Sequence, residues 1–498
     1  MKFKPLIVFC SVLILLVSAC KKEPAVTPVI PTNDGEEEVI SKTLSVNNVL
    51  QSNMVIQRDK PFKVWGKATA GSKIDIRASW DNSTYIAETN ANGNWETTIP
   101  ASPVNSSAQK VTITTAGLTP LELNNILIGD VWICSGQSNM VMQVGNIPPF
   151  QGVDNFRAEI AAANYPEIRF LTVQENYSKT AADVLFNDPE WKVCSPETAA
   201  NMSAVAYYFG RKINAEVDVP VGLIVSAVNG TWCETWMNAE AFNIDPVINS
   251  YIGRNQSSAL YNGMLAPFAK IGIKGFLWYQ GENNQNISPP AHYTKLNSEL
   301  IQGWRTIFNQ GELPFYYVQL TPFDANTTGN TLANGLAKFR EAQAAVRQTS
   351  GTGMVVTMDV GEVGNHHPKY KRQVGERLAL LALNGAYQQS VQSVGPQYAS
   401  YKKVGNTIVV EFVPGTANNL NTINNELLKQ HFLLAGSDLT FTKAEATIDN
   451  DKIVISIPAD LPLPVMAVRY AFSNFPVTNL QNNAGLPAEP FRTDNWSN

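Results

Sequence analysis

The spacing of apolar and polar positions divides the chain into three zones that follow a short N-terminal segment. In residues 42–125, short alternating segments such as 62–66, 73–76 and 95–97 are separated by turn residues. Alternation over a few residues is typical of half-buried β-strands. Residues 42–125 are therefore predicted to form an N-terminal β-rich module.

The middle zone, residues 126–390, alternates continuous apolar runs with helical periodicity. Tyr293, Leu296, Leu300 and Trp304 recur at helical spacing. The apolar runs lie at 126–134, 168–173, 221–228, 273–279, 315–320 and 354–360. Runs of this kind are typical of strands buried on both faces. Repetition of strand, helix and strand predicts an α/β domain with a doubly wound parallel sheet.

Short alternating segments return in residues 391–498, for example at 407–412, 452–456 and 467–470. These segments again have the period of half-buried strands. The third zone is therefore predicted to be a C-terminal β-rich module, so that the α/β domain is flanked by β modules on both sides.

The first 41 residues are predicted to be a targeting segment and a tether. Lys2 and Lys4 precede an apolar run at 6–17 that is too short to span a bilayer. Residues 16–20, Leu-Val-Ser-Ala-Cys, resemble a bacterial lipobox, whose cysteine is acylated. A plain secretory signal with a chance cysteine is the alternative. We expect a signal peptide at 1–19, lipidation of Cys20 and a flexible tether at 20–41.

This N-terminus predicts an exported bacterial lipoprotein, held by its lipid anchor on the periplasmic side of a membrane or at the cell surface.

The charge and the cysteines of the chain argue against nucleic acid, a disulfide framework and a structural metal. A net charge of −5 over 498 residues, with no long basic run, argues against nucleic acid. The remaining cysteines, Cys134, Cys194 and Cys233, are odd in number and are not spaced like metal ligands. We therefore expect no disulfide framework and no structural metal.

The stretch Gln-Ser-Asn-Met-Val occurs twice, at 51–55 and at 137–141. Ser138 directly follows the first apolar run of the α/β zone, and ligands of open parallel sheets bind at the carboxyl ends of the strands. Ser52 lies in what we predict to be a short β segment, with Met54 and Ile56 packed beneath it. Ser138 is therefore the predicted nucleophile and Ser52 is predicted to be structural.

A nucleophilic serine needs a base, and the chain has four histidines, His292, His366, His367 and His431. Only the Asn365-His366-His367-Pro368 loop follows a predicted core strand. Polar clusters also end two other strands, at Asn229-Gly230-Thr231 and at Gln280-Gly281-Glu282-Asn283. The backbone amides of Ser138 and Gly230 and the Gln280 carboxamide are the predicted oxyanion-hole donors.

Taken together, Gly136-Gln137-Ser138-Asn139-Met140, the 229–231 turn, Trp278-Tyr279-Gln280-Gly281-Glu282 and His367-Pro368 resemble the sialate O-acetylesterase family of SGNH hydrolases. The flanking β modules resemble that family as well, at 53–61 and at 485–494. The resemblance implies a serine esterase that removes acetyl groups from sugar hydroxyls without a cofactor or a metal. Ser138 and His367 are the implied catalytic residues, and Glu282 and Asn283 are expected to bind substrate.

The chain departs from the wider SGNH pattern where the triad acid should lie. That acid usually precedes the histidine by three residues, and here the position is Gly364. We predict Asp359 as the acid, with Glu362 or a dyad oriented by a backbone carbonyl as alternatives.

The substrate expected from the resemblance is O-acetylated sialic acid. Acetylxylan or another acetylated polysaccharide is the alternative within the same chemistry. An alternative from another class is a non-catalytic glycan-binding surface lipoprotein. It is disfavoured because a binder has no need to keep both a nucleophile and a base.

Overall fold

The computed structural model describes residues 42–324 and 334–496. The predicted signal peptide, Cys20 and the tether lie outside these residues. In the described ranges, no helix is long and apolar enough to cross a membrane.

Seven strands build the N-terminal zone. Strand β3 pairs antiparallel with β1 and β6, and β4 pairs antiparallel with β5 and β7. Alternate side chains of β4 are buried, as its alternating sequence predicts. The strands are β1 (Leu44–Val46), β2 (Val55–Gln57), β3 (Phe62–Ala68), β4 (Lys73–Ala78), β5 (Thr84–Glu88), β6 (Asn94–Ile99) and β7 (Asn105–Thr115).

A single long strand, β8 (Leu121–Gly136), belongs to both the N-terminal zone and the central sheet. Its first half pairs with β7 and β2, and its second half lies between two strands of the α/β zone. The predicted boundary between residues 125 and 126 therefore falls inside one strand. The described residues belong to one compact unit, so the division into three domains stays a prediction.

The central sheet has the strand order β10-β9-β11-β8-β12-β13-β14. All neighbours are parallel except β10, which is antiparallel to β9. The strands that join β8 are β9 (Tyr165–Thr172), β10 (Lys192–Cys194), β11 (Val221–Ala227), β12 (Gly275–Tyr279), β13 (Phe315–Val318) and β14 (Thr352–Val355). Except for β10, which no apolar run predicted, these strands overlap with the predicted apolar runs.

Helices cover both faces of this sheet. The helices are α1 (Ser138–Val141), α2 (Phe156–Ala161), α3 (Ala204–Val217), α4 (Pro246–Asn249), α5 (Ala291–Phe308), α6 (Gly335–Ala345) and α7 (Lys371–Gly385). Trp132 of β8 packs against Phe209 of α3. Ile133, the next residue of β8, faces the other side of the sheet. Its partner on β12, Phe276, lies on that side and packs against Trp304 of α5. Successive side chains of a strand point to opposite faces of the sheet, so the helices on the two sides bury both faces.

The C-terminal zone contains small antiparallel sheets. Their orders are β15-β16-β21-β20, β17-β23 and β19-β18-β22-β24. The strands are β15 (Tyr398–Val404), β16 (Thr407–Phe412), β17 (Asn421–Thr422), β18 (Phe432–Ala435), β19 (Phe441–Ala444), β20 (Ala446–Asp449), β21 (Lys452–Ser456), β22 (Ala467–Tyr470), β23 (Leu480–Gln481) and β24 (Phe491–Arg492). The prediction of an α/β fold with β-rich regions on both sides of a large sheet is confirmed at this level.

Candidate active site

Ser138 lies at the carboxyl end of the central strand β8. The strand ends at Gly136, where a Cβ atom would lie 2.1 Å from the Tyr279 carbonyl oxygen, so only glycine lets β8 end so close to β12. The Gln137 backbone N–H donates to the same carbonyl over 3.0 Å. Ser138 then begins the short helix α1. The chain therefore turns sharply at the strand end and directs Ser138 away from the sheet.

The His367 imidazole meets Ser138 directly. Its Nε2 lies 2.8 Å from Ser138 Oγ, a normal hydrogen-bond distance for a nucleophile and its base. The two residues are 229 positions apart in the chain. The Phe150 ring packs edge-on against the imidazole, with ring centres 5.0 Å apart. The structure thus brings together the predicted nucleophile and the predicted base.

The surroundings of His367 keep its imidazole neutral. Burial, followed by the charges of Lys371 and His366, lowers the pKa of His367 to about 4. A neutral imidazole has one nitrogen that can accept a proton. At neutral pH, His367 can therefore accept the Ser138 proton.

The loop that carries His367 is braced by Asn365 and Glu362. The His367 backbone N–H donates to Asn365 Oδ1 over 2.9 Å. Glu362 Oε2 in turn accepts from Asn365 Nδ2 over 2.8 Å and from the Lys369 backbone N–H over 3.3 Å. Glu362, the alternative candidate for the triad acid, therefore holds the loop in shape and makes no hydrogen bond with the imidazole.

A cavity of about 390 Å³ opens over the serine and the histidine. Loops after β8, β11, β12 and β14 all contribute to it, as expected for the carboxyl edge of a parallel sheet. Its lining consists of Gln137, Ser138, Pro149, Phe150, Asn229, Gly230, Glu282, Asn283, Gln285, His366 and His367. The polar clusters that the sequence places at separate strand ends therefore meet at one site.

Asp359 does not reach His367, which corrects its prediction as the triad acid. Both oxygens of its carboxylate accept from the Arg377 guanidinium, over 2.8 Å and 2.6 Å. Arg377 also donates to the Val356 carbonyl, so the pair joins the end of β14 to α7. Within the described ranges, no residue accepts a hydrogen bond from His367 Nδ1. Asp359 thus belongs to a buried ion pair beneath the loop.

Gln280 is also corrected, because its carboxamide is occupied inside the protein. Its Nε2 donates to the Thr231 carbonyl over 3.1 Å and to Asn284 Oδ1 over 2.7 Å. A carboxamide nitrogen has two hydrogens, so neither remains for a substrate. Gln280 is fully buried and does not line the cavity. It ties the end of β12 to the turn after β11 and cannot serve as an oxyanion donor.

The other two predicted oxyanion donors and both predicted substrate-binding residues border the cavity. Gly230 has a left-handed conformation, with φ of +66°, and its carbonyl accepts from Asn283 Nδ2 over 2.7 Å. The second hydrogen of Asn283 Nδ2 remains for a ligand. Glu282 accepts a hydrogen bond from Asn139 Nδ2, and burial raises the pKa of its carboxyl group. These positions agree with the predicted roles, which stay predictions.

Sequence reasoning missed the buried polar groups beneath the cavity. Asn139 and Lys371 are each 1% exposed, and they hydrogen-bond to each other over 2.8 Å between Oδ1 and Nζ. A lysine at the start of an amphipathic helix ordinarily faces solvent, so its type gave no signal. Asn139 belongs to the Gln-Ser-Asn-Met-Val stretch, but the sequence alone assigns no partner to its side chain.

The three cysteines of the described residues offer no competing nucleophile. Cys134, Cys194 and Cys233 are buried free thiols. Burial raises the pKa of all three, and that of Cys194 to about 12. The thiolate is the reactive form of cysteine, so these side chains are unreactive at neutral pH.

Ser52 is structural, although not in the way its sequence predicts. It lies in a turn before β2, whereas the prediction placed it within a strand. Its Oγ accepts from the Asn124 backbone N–H over 2.9 Å. Met54 and Ile56 are buried, as predicted. A turn at 51–53 forms because Asn53 adopts a left-handed conformation, with φ of 65°, which asparagine tolerates better than most residues.

Comparison with known proteins gives a consistent result. The family described as carbohydrate esterase, sialic acid-specific acetylesterase matches residues 128–384. The sialate O-acetylesterase of Homo sapiens is 26% identical over 488 residues, covering 89% of this chain and 91% of that protein. The sialate O-acetylesterase of Mus musculus is also 26% identical and covers 89% of this chain and 93% of that protein.

A solved structure extends the similarity to the whole described fold. The crystal structure of a novel carbohydrate acetylesterase from Xanthomonas citri has a TM-score of 0.81 and 30% sequence identity. The similarity covers 91% of this chain and 100% of that chain. The chain therefore belongs to the sialic acid-specific acetylesterase family of carbohydrate esterases.

Proposed function

We propose that the protein hydrolyses acetyl esters of sugar hydroxyls through a serine nucleophile, Ser138, with His367 as its base. The observation that carries this proposal is the 2.8 Å contact between His367 Nε2 and Ser138 Oγ at the floor of the cavity. A serine with a neutral imidazole at hydrogen-bond distance is the arrangement that acyl transfer requires.

In the first half of the reaction, Ser138 Oγ attacks the acetyl carbonyl carbon while its proton passes to His367 Nε2. The carbonyl oxygen becomes an oxyanion. When the tetrahedral intermediate collapses, the bond between the carbonyl carbon and the sugar oxygen breaks. His367 Nε2 gives the proton to that oxygen, so the free sugar hydroxyl leaves and an acetyl-serine remains.

In the second half, a water molecule takes the place of the sugar. His367 Nε2 accepts a proton from the water as its oxygen attacks the acetyl carbon. The bond to Ser138 Oγ then breaks, the proton returns to Oγ, and acetic acid leaves and loses its remaining proton to the solvent. Both halves use the same pair of side chains and regenerate the resting enzyme.

The donors that stabilise the oxyanion are proposed to be the backbone amides of Ser138 and Gly230 and the side-chain amide of Asn283. Asn283 replaces Gln280 in this role, because it borders the cavity and keeps one free hydrogen. Loss of one donor of this kind costs about 10²- to 10³-fold in kcat in a well-studied esterase-like site. Asn283→Ala is expected to lower kcat by a factor in that range.

We propose that the pair works as a dyad. Asp359 is held by Arg377, and Glu362 braces the loop. The orientation of the imidazole would then come from its edge-on contact with Phe150, while the hydrogen bond from the His367 backbone N–H to Asn365 Oδ1 holds the loop in place. This arrangement is proposed to be built on the doubly wound sheet of SGNH hydrolases, with Ser138 after the central strand.

O-acetylated sialic acid is the first candidate substrate, since the family and the mammalian relatives carry that specificity in their names. One observation favours a second candidate, an acetylated neutral polysaccharide such as xylan. The described residues that line the cavity include Glu282 but no lysine or arginine. Residues 325–333 contain neither type in their sequence. Among the described lining residues, a sialate carboxylate would thus find no lysine or arginine as a partner.

The test compares rates of deacetylation for three substrates: O-acetylated sialic acid, its carboxyl methyl ester and acetylated xylan. If the enzyme recognises the carboxylate, the methyl ester is the poorer of the two sialic acid compounds. If the carboxylate is only tolerated, the methyl ester is the better substrate, and xylan is cleaved faster than both. Absence of turnover on all three, with an inactive aryl acetate control, would contradict the esterase mechanism itself.

We propose further that Cys20 is acylated and anchors the enzyme on the periplasmic side of a membrane or at the cell surface. The lipobox-like residues 16–20 and the proline-containing tether support this. Cys20→Ser should move the protein out of the membrane fraction without changing its specific activity, because the anchor and the catalytic residues are separate. Unchanged membrane retention would contradict the anchor.

A further inference from the structure

Two buried side chains, Asn139 and Lys371, form hydrogen bonds that join the chain segments of Ser138 and His367. Asn139 directly follows Ser138, and its Nδ2 donates to the carbonyl of His366 over 3.0 Å. Lys371 Nζ donates to Asn139 Oδ1 over 2.8 Å and to the Pro368 carbonyl over 2.7 Å. His366 and Pro368 are the two neighbours of His367 in the chain. The backbone on either side of the base is thus tied to the residue after the nucleophile.

We infer that Lys371 is a positioning residue, which sets the distance between Ser138 and His367 by joining their two chain segments. This inference rests on the proposed roles of that pair. No described acidic residue orients the imidazole, so the segments that carry the two side chains must be held by other bonds. The Lys371 ammonium group, at the start of α7, hydrogen-bonds to both segments at once.

The charge of Lys371 is compensated through Asn139. Glu282 accepts from Asn139 Nδ2, while Asn139 Oδ1 accepts from Lys371, so the carboxamide lies between a carboxylate and an ammonium group. Hydrogen bonds in such a chain strengthen one another in a low-dielectric interior. The Lys371 ammonium also lies 5.9 Å from the centre of the Tyr279 ring, at cation–π distance. The ends of β8 and β12 therefore support one buried cation.

The titratable groups that face Lys371 are Glu282, Glu362, Tyr279, His366 and His367. Burial lowers the pKa of Lys371 to about 7, against the attraction of Glu282 and Glu362. The ammonium is therefore charged at the acidic pH where His367 titrates. Its charge, after burial, helps to lower the pKa of His367. A positioning lysine therefore leaves a mark on the acidic side of the pH profile.

The experiment uses Lys371→Met, which keeps the length of the side chain and removes its charge, in the full-length enzyme with an aryl acetate as substrate. We expect kcat to fall by roughly 10²-fold with KM nearly unchanged, since a displacement of about 1 Å costs that much in a positioned site. We also expect the acidic limb of the pH profile to move to higher pH. If Lys371→Met causes the same shift in an enzyme that also carries Glu282→Gln, Glu282 is not the titrating group and the limb belongs to His367.

Lys369→Met is the matched control, because Lys369 lies two residues away, is 43% exposed in its side chain and contacts Asp154 at the surface. It should keep wild-type kcat and an unmoved acidic limb. Should Lys371→Met not fold by circular dichroism, Lys371→Gln keeps a donor in the buried site and is read by the same two criteria.

A kcat within fivefold of the wild type, or an acidic limb that does not move, overturns the inference. Ser138→Ala and His367→Ala, measured beside these variants, separate this failure from that of the proposed function. If both remain active, the catalytic pair itself is wrong. If both lose activity while Lys371→Met keeps it, only the role of Lys371 is wrong.

Discussion

The two copies of Gln-Ser-Asn-Met-Val have the same five residues and different structures. In the copy at 137–141, the serine follows the central strand β8 and contacts His367, and the asparagine is buried beneath the cavity. In the copy at 51–55, the serine lies in a turn and accepts one hydrogen bond from the Asn124 backbone. The difference teaches that the strand which precedes the serine, and the loop that meets it, decide which copy carries the proposed nucleophile.

One position of the stretch behaves alike in both copies. Met54 and Met140 are both buried, at 2% and 0% exposure. A flexible apolar side chain can anchor either a turn or a short helix to the core. The methionine therefore has the same packing role in both copies, whereas the polar residues of the stretch acquire their roles from their surroundings.

The largest expected effect comes from Ser138→Ala. Removal of the nucleophile should lower kcat by about 10⁴-fold or more, as the loss of such a serine does in other hydrolases. Labelling by a fluorophosphonate probe, read by mass spectrometry, should modify Ser138 in the wild type. A label on the peptide that contains Ser52 would reverse the assignment of the two copies.

Asp359→Asn should mainly affect stability. Loss of one partner leaves Arg377 as an uncompensated buried charge, which costs roughly 3–5 kcal/mol of unfolding free energy. The proposed dyad uses a base and no acid, so kcat of the folded variant should stay within about tenfold of the wild type. Chemical denaturation and initial rates measure the two quantities. A loss of about 10⁴-fold in kcat with normal stability would restore Asp359 as the triad acid.

Asn139→Ala and Asn53→Ala change the same position of the two copies. Asn139→Ala removes the bonds to Glu282, His366 and Lys371, and we expect kcat to fall by roughly 10²-fold. Asn53→Ala places alanine in a left-handed conformation and should cost about 1–2 kcal/mol of stability with kcat unchanged. Steady-state kinetics and thermal unfolding of both variants test this. Equal effects on kcat would contradict the comparison.

The pH profile tests the electrostatic surroundings of the catalytic copy. Because the pKa of His367 is lowered to about 4, the imidazole stays neutral, and the enzyme active, down to that pH. Below it, the protonated imidazole cannot accept the Ser138 proton, and kcat/KM should fall about tenfold per pH unit. Circular dichroism at each pH shows whether the protein is still folded. An acidic limb near pH 6.5 would show that His367 is not shielded from solvent.

Ser52→Ala should have the smallest effect. It removes one hydrogen bond to the Asn124 N–H and should change the free energy of unfolding by at most about 1 kcal/mol. Activity should equal that of the wild type. A clear loss of kcat in this variant would mean that the structural copy affects catalysis through β8, whose first half pairs with β2 directly after the turn.

Much of the fold could be predicted from the sequence, because apolar runs and helical spacing are local signals. The runs at 126–134 and 221–228 correspond to β8 and β11, and the spacing from Tyr293 to Trp304 corresponds to α5. The limits of β8 could not be predicted. Its first half alternates like a half-buried strand, and its second half is buried on both faces, so the change of pattern resembles a boundary.

At the site, the residue types that perform the proposed chemistry could be predicted, but their supports could not. Ser138 and His367 follow core strands, which is a local property. The partners of Asp359 and Gln280 depend on distant segments, Arg377 in α7 and Thr231 after β11, which no spacing indicates. Lys371 was missed because burial of a lysine depends on which backbone carbonyls and carboxamides the fold brings to it.

Strand β8 also has a consequence for how the enzyme could be divided. Its beginning is hydrogen-bonded to β7 and β2, and its end carries Ser138. A gene truncated to encode only residues 126–390 would start in the middle of this strand and leave unpaired backbone groups along it. Tension applied to residues 42–125 would likewise be transmitted along this one continuous strand to Ser138. We therefore expect that residues 126–390 do not fold as a separate protein without residues 42–125.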